Sequence, residues 1–440
     1  MMIIGAACLS TVLSLVPAVA ATDAQPPIDL KVLYLGNAGT PRAKAYEAFL
    51  AERFAKATAV DRNSFDPASA AEYDVVLLDW SQSDVNAGGV TPGQRVDLKS
   101  PLGPRESWSK PIVMLGSAGL LITSPWQTNG TYGCTCLYPF AYNPRNHEIF
   151  NAPISIDRGA TIKRPVPNDS WREKLGVGEV DVIPMVRDID KSYDPGWCTY
   201  ENTLAEQPEV EFICGGINDK IPAAVGIWRQ GNQLHFGFDL SPDDMSDAAR
   251  AMLVNSIAYI ARFTQDRPIV RSPSPFYGVA TRARSSVESW LTNDHYDLKW
   301  VDDAISPSVL QSVQRRTRAE YLEWYRDNSR YLRPGADGLL TWDEEAKSLE
   351  ISYSTPELFE RGIAALRDPA TRVQAATLLH RYAPEGPSSD DAAAWQAWYA
   401  ENQPYLFYCE WGSYRWYIDP LAKSRGVPTA DLRGPARADC

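Results

Sequence analysis

The ten residues VMLGSAGLLI (113–122) contain the turn that decides the fold of this chain. An apolar run, Ile112 to Leu115, is interrupted by Gly116-Ser117-Ala118-Gly119, and apolar residues then resume. This pattern predicts a buried strand that turns sharply into a helix, a place where many α/β enzymes carry a nucleophile between two glycines. Ser117 has Gly119 two residues after it, but Leu115 stands where the preceding glycine would be. The stretch predicts an α/β turn and leaves the role of Ser117 open.

Further strands and a helix precede this turn. IDLKVLYLGN (28–37) is a β-rich run, and YDVVLLDW (73–80) is a continuous apolar run, typical of a strand that is buried on both faces. Between them, Thr40 and Pro41 begin a helical pattern. Strands that alternate with helices predict a parallel sheet covered on both faces. We therefore predict an α/β fold with a doubly wound, flavodoxin-like, mostly parallel sheet.

The later segments predict a hairpin, a long helix and a second domain. Arg229-Gln230-Gly231-Asn232 separates two apolar runs and predicts a hairpin, and residues 241–263 predict a helix capped by Ser241. The chain then becomes rich in helical patterns, and 405–419 predicts an aromatic hairpin around Gly412-Ser413. The expected organisation is a signal peptide (1–20), an α/β domain (28–265), a linker (266–284) and a mainly α-helical, aromatic-rich C-terminal domain (285–440).

The composition excludes one class of partner. The chain has 440 residues, with 43 Lys and Arg against 55 Asp and Glu, which gives a net charge of −12. No block of basic residues is present, so we expect no nucleic acid partner, because phosphate binding needs clustered Lys and Arg. The 14 tryptophans and 21 tyrosines suit either aromatic-lined sites or large mixed cores, and the second explanation is favoured.

The N-terminus has the pattern of an export signal. Its first twenty residues are uncharged and mostly apolar or small, and they end in the small-x-small pattern Ala18-Val19-Ala20. The run is too short, and too broken by Pro17, to span a bilayer comfortably. No other stretch of the sequence is long and apolar enough, so no transmembrane segment is expected. We expect a secreted or periplasmic protein.

Export changes what the cysteines predict. After removal of Cys8, an even number remains, which in an oxidising compartment indicates disulfides. These disulfide candidates are Cys134, Cys136, Cys198, Cys214, Cys409 and Cys440. Four lie within residues 134–214, so at least one bridge is expected there, although the pairing stays open. Cys134-Thr135-Cys136 could instead bind a metal ion, but no nearby cysteine or histidine repeats the spacing of a zinc site. We therefore expect neither a metal nor a cofactor.

Five segments occur in an informative order: the strand ending in Gly36-Asn37, Tyr73 to Trp80, the turn at Gly116-Ser117, NHEIFNAP (146–153) and HFGFDLSP (235–242). In this order they resemble the class I glutamine amidotransferase-like superfamily, and most closely its trehalose-utilisation (ThuA-like) proteins. The resemblance covers roughly residues 28 to 265 and implies a link to carbohydrate metabolism.

The same resemblance indicates that amide chemistry is lost. Amidotransferases of this superfamily carry a nucleophilic cysteine between glycines and a His-x-Glu pair after a late strand. Here Ser117 stands in place of the cysteine, and the late strand, Gly237 to Ser241, has no histidine at the place where the base should follow. The chemistry needs a base to accept the proton of the nucleophile. We therefore expect non-catalytic binding of a small polar ligand, such as a carbohydrate, or of a protein partner.

The candidate site residues follow from the fold. Ligands of open α/β sheets bind beyond the carboxyl ends of the strands, where this chain carries Asn37, Ser81, Ser117 and Asp239. His147, in the ThuA-like segment, is the remaining candidate for ligand binding and for a base. One alternative is a hydrolase or sugar-modifying enzyme that uses Ser117 and His147, and another is a cell-surface scaffold formed by the C-terminal domain. The sequence leaves open whether the chain is an enzyme.

Overall fold

The computed structural model describes residues 26–87, 98–128, 133–201, 205–271, 284–313 and 317–433. The predicted signal peptide (1–20), Cys8 and Cys440 lie outside these residues. No helix within the described ranges combines the length and the apolar character needed to cross a bilayer.

The first half of the chain builds one 11-stranded sheet. Its strands are β1 (Ile28–Gly36), β2 (Phe54–Asp61), β3 (Val75–Trp80), β4 (Ile112–Gly116), β5 (Gly133–Pro144), β6 (Ile162–Pro165), β7 (Glu179–Pro184), β8 (Gly196–Tyr200), β9 (Val210–Asn218), β10 (Ala224–Gln230) and β11 (Gln233–Phe236). One part runs in the order β2-β1-β3-β4-β11 with every neighbouring pair parallel. This is the flavodoxin-like strand order, and it confirms the predicted fold class.

The rest of the sheet is an antiparallel extension. A hairpin joins β10 to β11 at Gly231, whose φ of 56° suits glycine, and this confirms the predicted hairpin. Beyond β10, the order continues as β8-β5-β7-β6, with β9 pairing with both β10 and β5. All of these pairs are antiparallel. As a result, β9 runs parallel to β11 and begins beside the amino ends of the parallel strands, opposite their carboxyl ends.

Helices cover both faces of the parallel part. They are α1 (Pro41–Ala51), α2 (Gln82–Ala87), α3 (Gly119–Trp126) and α5 (Asp247–Ile260), whereas α4 (Asp169–Leu175) packs through Trp171 against the antiparallel extension. Val32 and Tyr34 of β1 belong to the core shared with α1 and α5, whereas Leu33 and Leu35 belong to the core shared with α3. This alternation of side chains is what a doubly wound sheet requires.

The longest of these helices begins later than the sequence predicts. Ser241 was the expected N-cap, but α5 starts at Asp247, and the Ser246 hydroxyl accepts a hydrogen bond from the Ala249 amide at 3.1 Å. The residues before it turn so that Met245 forms a β-bridge with Val186, which a helix starting at Ser241 would not allow.

The C-terminal part is mainly helical. Its elements are α6 (Arg284–Thr292), α7 (Leu298–Asp302), α8 (Pro307–Leu310), α9 (Arg318–Asn328), β12 (Leu332–Pro334), β13 (Leu340–Trp342), α10 (Glu344–Leu349), α11 (Glu357–Ala365), α12 (Arg372–Tyr382), α13 (Ala392–Asn402), β14 (Leu406–Cys409), β15 (Arg415–Ile418), α14 (Pro420–Arg425) and α15 (Thr429–Arg433). The pairing of β14 with β15 confirms the aromatic hairpin.

Most of the aromatic side chains of this part fill its core. Tyr321, Tyr325 and Trp395 are fully buried, and the rings of Tyr353 and Tyr382 stack with centroids 4.0 Å apart. Among the described C-terminal residues, Trp300 is the large aromatic residue whose side chain faces solvent, with 54% of its surface exposed. The aromatic content therefore reflects core packing.

Candidate functional site

The strand-to-helix turn carries its strained backbone at Gly116. The φ of Gly116 is 51°, in the left-handed region that favours glycine, whereas Ser117 is not among the residues with positive φ. A Cβ atom at position 116 would lie 3.0 Å from Cβ of Asp239 and 3.1 Å from its Cγ. In a nucleophile elbow, the residue in the strained conformation carries the nucleophile. Here that position holds a glycine, and Asp239 occupies the space beside it.

Ser117 is enclosed and bonded to a side chain that the sequence did not single out. It is fully buried, and its hydroxyl donates a hydrogen bond to Oε1 of Gln82 at 3.0 Å. The backbone amide of Gln82 in turn donates to Oδ2 of Asp239 at 2.5 Å. Two predicted site residues, Ser117 and Asp239, are thus brought together through Gln82, and the Ser117 hydroxyl donates to an amide oxygen instead of to a base.

An arginine bridges two carboxylates at the same strand ends. Nε and Nη2 of Arg42 donate to the two carboxylate oxygens of Asp79 at 2.8 and 2.9 Å, and Nη2 also lies 2.8 Å from Oδ1 of Asp239. The hydroxyl of Tyr34 donates to Asp79 at 2.5 Å. Sequence reasoning missed Arg42 and Asp79. Both carboxylates are almost fully buried, so one guanidinium is shared by two charges in a low dielectric.

This arrangement raises the pKa of Asp239. Burial is the largest cause, the neighbouring charge of Asp79 adds to it, and Arg42 offsets part of the effect, so that the pKa rises to about 6. Burial and the charge of Asp79 also raise the pKa of Tyr34, whose hydroxyl stays protonated as the donor to that carboxylate. A carboxyl group that titrates near neutrality is common in functional sites, but here only 1% of its side chain is exposed.

The other two predicted strand-end residues also bond to neighbouring side chains. Nδ2 of Asn37 donates to Oδ1 of Asp84 at 3.2 Å. The Ser81 hydroxyl lies 3.1 Å from that of Ser83 and accepts a hydrogen bond from the Asp84 amide. The polar groups predicted to face a ligand at the strand ends are therefore bonded within the protein.

His147 lies far from Ser117, near the start of β9 and the amino ends of the parallel strands. Its ring packs edge-on against Tyr259, with centroids 4.7 Å apart, and its Nε2 is 3.9 Å from Oε2 of Glu211. Through the ladders of β9, β10 and β11, Glu211 lies level with Val113 of β4. Ser117 is therefore about 13 Å further along the strands and about 14 Å away across three strand spacings. The structure does not bring together the predicted pair of Ser117 and His147.

A cleft lies near the start of β9, between the sheet and the last two helices, α14 and α15. Its volume is about 290 Å³. The lining residues come from the start of β9, the end of β10, the segment after α5, and helices α14 and α15: Pro208, Val210, Glu211, Arg229, Arg262, Phe263, Thr264, Gln265, Asp266, Leu421, Arg425, Leu432 and Arg433. Sites for small molecules often lie in clefts where separate parts of a chain meet, as the sheet and the C-terminal helices do here.

Ion pairs hold the floor of this cleft. Arg229 contacts Glu211 at 2.7 Å and Asp266 at 3.0 Å, and its guanidinium lies 3.9 Å from the centroid of the Phe263 ring. The Arg433 guanidinium donates two hydrogen bonds to the Asp266 carboxylate, of 2.6 and 3.1 Å. Burial alone would raise the pKa of Glu211, but His147, Arg229 and Tyr259 hold it well below its usual range. His147 therefore lies behind the cleft as a partner of its Glu211.

The rim of the cleft carries two exposed arginines. Arg262 pairs with Glu148 at 2.6 Å, but both side chains are half exposed, so the pair is easily exchanged. Arg425 is exposed and makes no hydrogen bond or ion pair with the part of the chain that the structure describes. Among all lining residues, four are arginines and two are carboxylates. The lining therefore holds more arginine than carboxylate side chains, and the carboxylates of Glu148 and Asp419, outside the lining, pair with Arg262 and Arg433. Arg425 is the lining arginine that keeps an exposed side chain without such a partner among the described residues.

The cysteines only partly follow the prediction. Cys134 and Cys136 form a disulfide, as expected for at least one pair within residues 134–214. The other described disulfide candidates, Cys198, Cys214 and Cys409, are buried free thiols. Cys214 contacts a backbone oxygen of β5, and Cys409 packs in a separate small core with Val270. Their sulfur atoms are thus held apart by different packing environments.

Comparisons with known proteins do not assign this chain to a family. No protein-family profile matches the chain, and no curated protein matches it. Among solved structures, a protein from Thermoplasma acidophilum assigned to GMP synthase matches with 10% sequence identity and a TM-score of 0.30. The match covers 53% of this chain and 96% of that one. With a TM-score of 0.30, this likeness carries no argument about the family, activity or ligand of this chain.

Proposed function

We propose that this chain is an exported, non-catalytic binding protein that takes a small anionic ligand into the cleft between β9, β10 and the two last helices. Carboxylated or phosphorylated sugars are the class that fits both the cleft and the expected link to carbohydrates. The observation that carries the proposal is the excess of arginine in the lining of this cleft.

The cleft has the two properties that such a ligand needs. Arg229 and Arg433 are fixed by Asp266, which gives a preorganised floor, while Arg262 and Arg425 at the rim are exposed. The planar guanidinium group matches a carboxylate or phosphate with two parallel hydrogen bonds. Phe263 supplies an apolar face against which a sugar ring can pack.

The strand ends support the non-catalytic part of the proposal. The strained turn position is Gly116, and the Ser117 hydroxyl donates to Gln82. His147 lies beside Glu211, which is about 13 Å back along the strands from Ser117 and about 14 Å away across them. An enzyme that uses Ser117 with His147 would need the two side chains within hydrogen-bond reach. A scaffold built on exposed aromatic residues is not favoured either, because most aromatic side chains of the C-terminal part are in its core.

Calorimetric titration tests the proposal with three probes: glucuronate, glucose 6-phosphate and glucose. We expect at least one of the two anions to bind and glucose to bind more weakly. In the double variant Arg262→Ala/Arg425→Ala, anion affinity should fall at least about tenfold, because a charged hydrogen bond contributes about 1.5–3 kcal/mol. The control variant is Arg172→Ala, which removes an exposed arginine of α4 outside the cleft. Equal affinity for glucose and the two anions, or an unchanged anion affinity in the double variant, contradicts the proposal.

Export is tested separately, at the N-terminus. Mass spectrometry of the protein expressed with its full sequence in a bacterial host should find a mature chain that begins at Ala21, after the Ala18-Val19-Ala20 pattern. An uncleaved chain retained in the cytoplasm contradicts this part of the proposal.

A further inference from the structure

Three sulfur atoms meet where β5 pairs with β8. Cys134 lies directly opposite Cys198 in the antiparallel ladder, and Cys136 lies at an irregularity of the register between Thr135 and Leu137. Cys134 and Cys136 are two residues apart, so their side chains share one face of β5. The ligand atoms of all three cysteines lie within 4.8 Å of one another. None of these three cysteines belongs to the lining of the arginine cleft.

The position of Cys198 distinguishes two uses of such a cluster. Its Sγ is 3.7 Å from Sγ of Cys134 and 3.8 Å from Sγ of Cys136, so it lies beside the disulfide and equally far from both sulfurs. In thiol–disulfide exchange, the attacking sulfur approaches along the extension of the S–S bond, which this position does not allow. Thiolates around a tetrahedral zinc ion, with Zn–S distances of about 2.3 Å, are about 3.8 Å apart. Cys198 already has this separation from both partners.

We propose that Cys134, Cys136 and Cys198, once the disulfide is reduced, form a site for one soft metal ion, either Zn²⁺ or Cu⁺. A dithiol reductant supplies two electrons and two protons to the Cys134–Cys136 bond and is itself oxidised to its disulfide. The two new thiols and the Cys198 thiol then bind the ion and release their protons to water. Soft thiolate ligands select such ions. Re-oxidation removes two of the three ligands, so the site is controlled by redox state.

The surroundings of the three sulfurs suit bound thiolates. Nδ2 of Asn218 lies 3.5 Å from Sγ of Cys198, where it can donate to a metal-bound sulfur. The hydroxyl of Tyr200 lies 3.4 Å from Sγ of Cys134. Such donors orient metal ligands and stabilise their charge. The proposal rests on these contacts alone and is independent of the function proposed for the cleft.

The test uses the full chain, reduced with a phosphine that is then removed under nitrogen. Zn²⁺ is titrated in competition with a chromophoric chelator, Cu⁺ is titrated in a separate arm, and Co²⁺ reports thiolate ligands through its sulfur-to-metal charge-transfer absorption. We expect one ion per reduced chain, and no binding by the oxidised chain. Cys198→Ser should weaken binding at least tenfold, and Cys214→Ser, which changes a buried thiol outside the cluster, should leave it unchanged.

A second variant guards against misfolding. Cys134→Ser changes a partly exposed cysteine, and near-ultraviolet circular dichroism checks the fold of every variant. The charge-transfer absorption should fall in Cys134→Ser as well as in Cys198→Ser, because each variant removes one thiolate. Equal metal binding by wild type and Cys198→Ser, or no binding of either ion by the reduced wild type, overturns the proposal.

Discussion

Replacement of Asp239 by asparagine tests the account of the strand ends. In the folded protein, Asp239 shares Arg42 with Asp79 and accepts a hydrogen bond from the Gln82 amide. Asparagine keeps a carbonyl oxygen for that amide and removes the second buried charge. If the cluster is a structural network, Asp239→Asn should make the protein more stable at neutral and alkaline pH.

The magnitude follows from the pKa of the carboxyl group. Burial raises the pKa of Asp239 from 3.8 to about 6. One pKa unit corresponds to about 1.4 kcal/mol, so ionised Asp239 costs the folded state about 3 kcal/mol. The folded-state pKa lies above the unfolded-state value, so wild type is most stable while Asp239 is protonated. It loses about 3 kcal/mol of folding free energy as the pH rises from about 4 to about 6, and the loss persists above that range. The difference between Asp239→Asn and wild type should grow from about zero to about 3 kcal/mol across this window.

The assay is urea unfolding followed by tryptophan fluorescence, for both proteins, from about pH 4 to about pH 8. Asp79→Asn is the matched control. Asp79 accepts from Tyr34 and takes two hydrogen bonds from Arg42, so its replacement should destabilise the protein by about 3 kcal/mol or more. A pH-independent difference, or an Asp239→Asn protein that is less stable than wild type at pH 8, would refute the reasoning.

Three further predictions concern the turn and the cleft. Gly116→Ala should destabilise the protein by more than the roughly 1–2 kcal/mol of a left-handed alanine, whereas Gly39→Ala (φ 81°, with open space around its Cβ position) should lose only that amount in chemical denaturation. Ser117→Ala should cost about 1 kcal/mol by the same assay and leave anion binding at the cleft unchanged, and a loss of binding would make Ser117 a ligand residue. Arg433→Met should cost about 3 kcal/mol or more in thermal or urea unfolding, because it leaves buried Asp266 with a single arginine and removes the arginine partner of buried Asp419; an unchanged stability would contradict the role of these pairs.

The sequence was sufficient for the fold because the deciding patterns are local. The apolar run before Gly116, the continuous strand at 73–80 and the turn at Gly231 each predict an element from neighbouring residues. The antiparallel extension was harder, because its registers are irregular, as in the pairing of β5 with β8 and β9.

The site residues depended on contacts that local patterns do not contain. Glycine spacing pointed to Ser117, but the backbone angle that decides the elbow belongs to Gly116. Arg42 lies in the first turn of α1 and meets Asp239 only because β11 follows β4 in the sheet. Cys198 joins the Cys134–Cys136 pair from a separate strand more than sixty residues later. The positive φ required at Gly116 was not visible from glycine spacing alone.

The most direct test of the central claim is a crystal structure of the protein with the tighter-binding of the two anions. The account predicts electron density for the carboxylate or phosphate in the cleft, within hydrogen-bond distance of Arg229 or of the rim arginines Arg262 and Arg425. Density for the ligand beside Gln82 and Ser117 would contradict it, because that result would place the binding site at the carboxyl ends of the parallel strands.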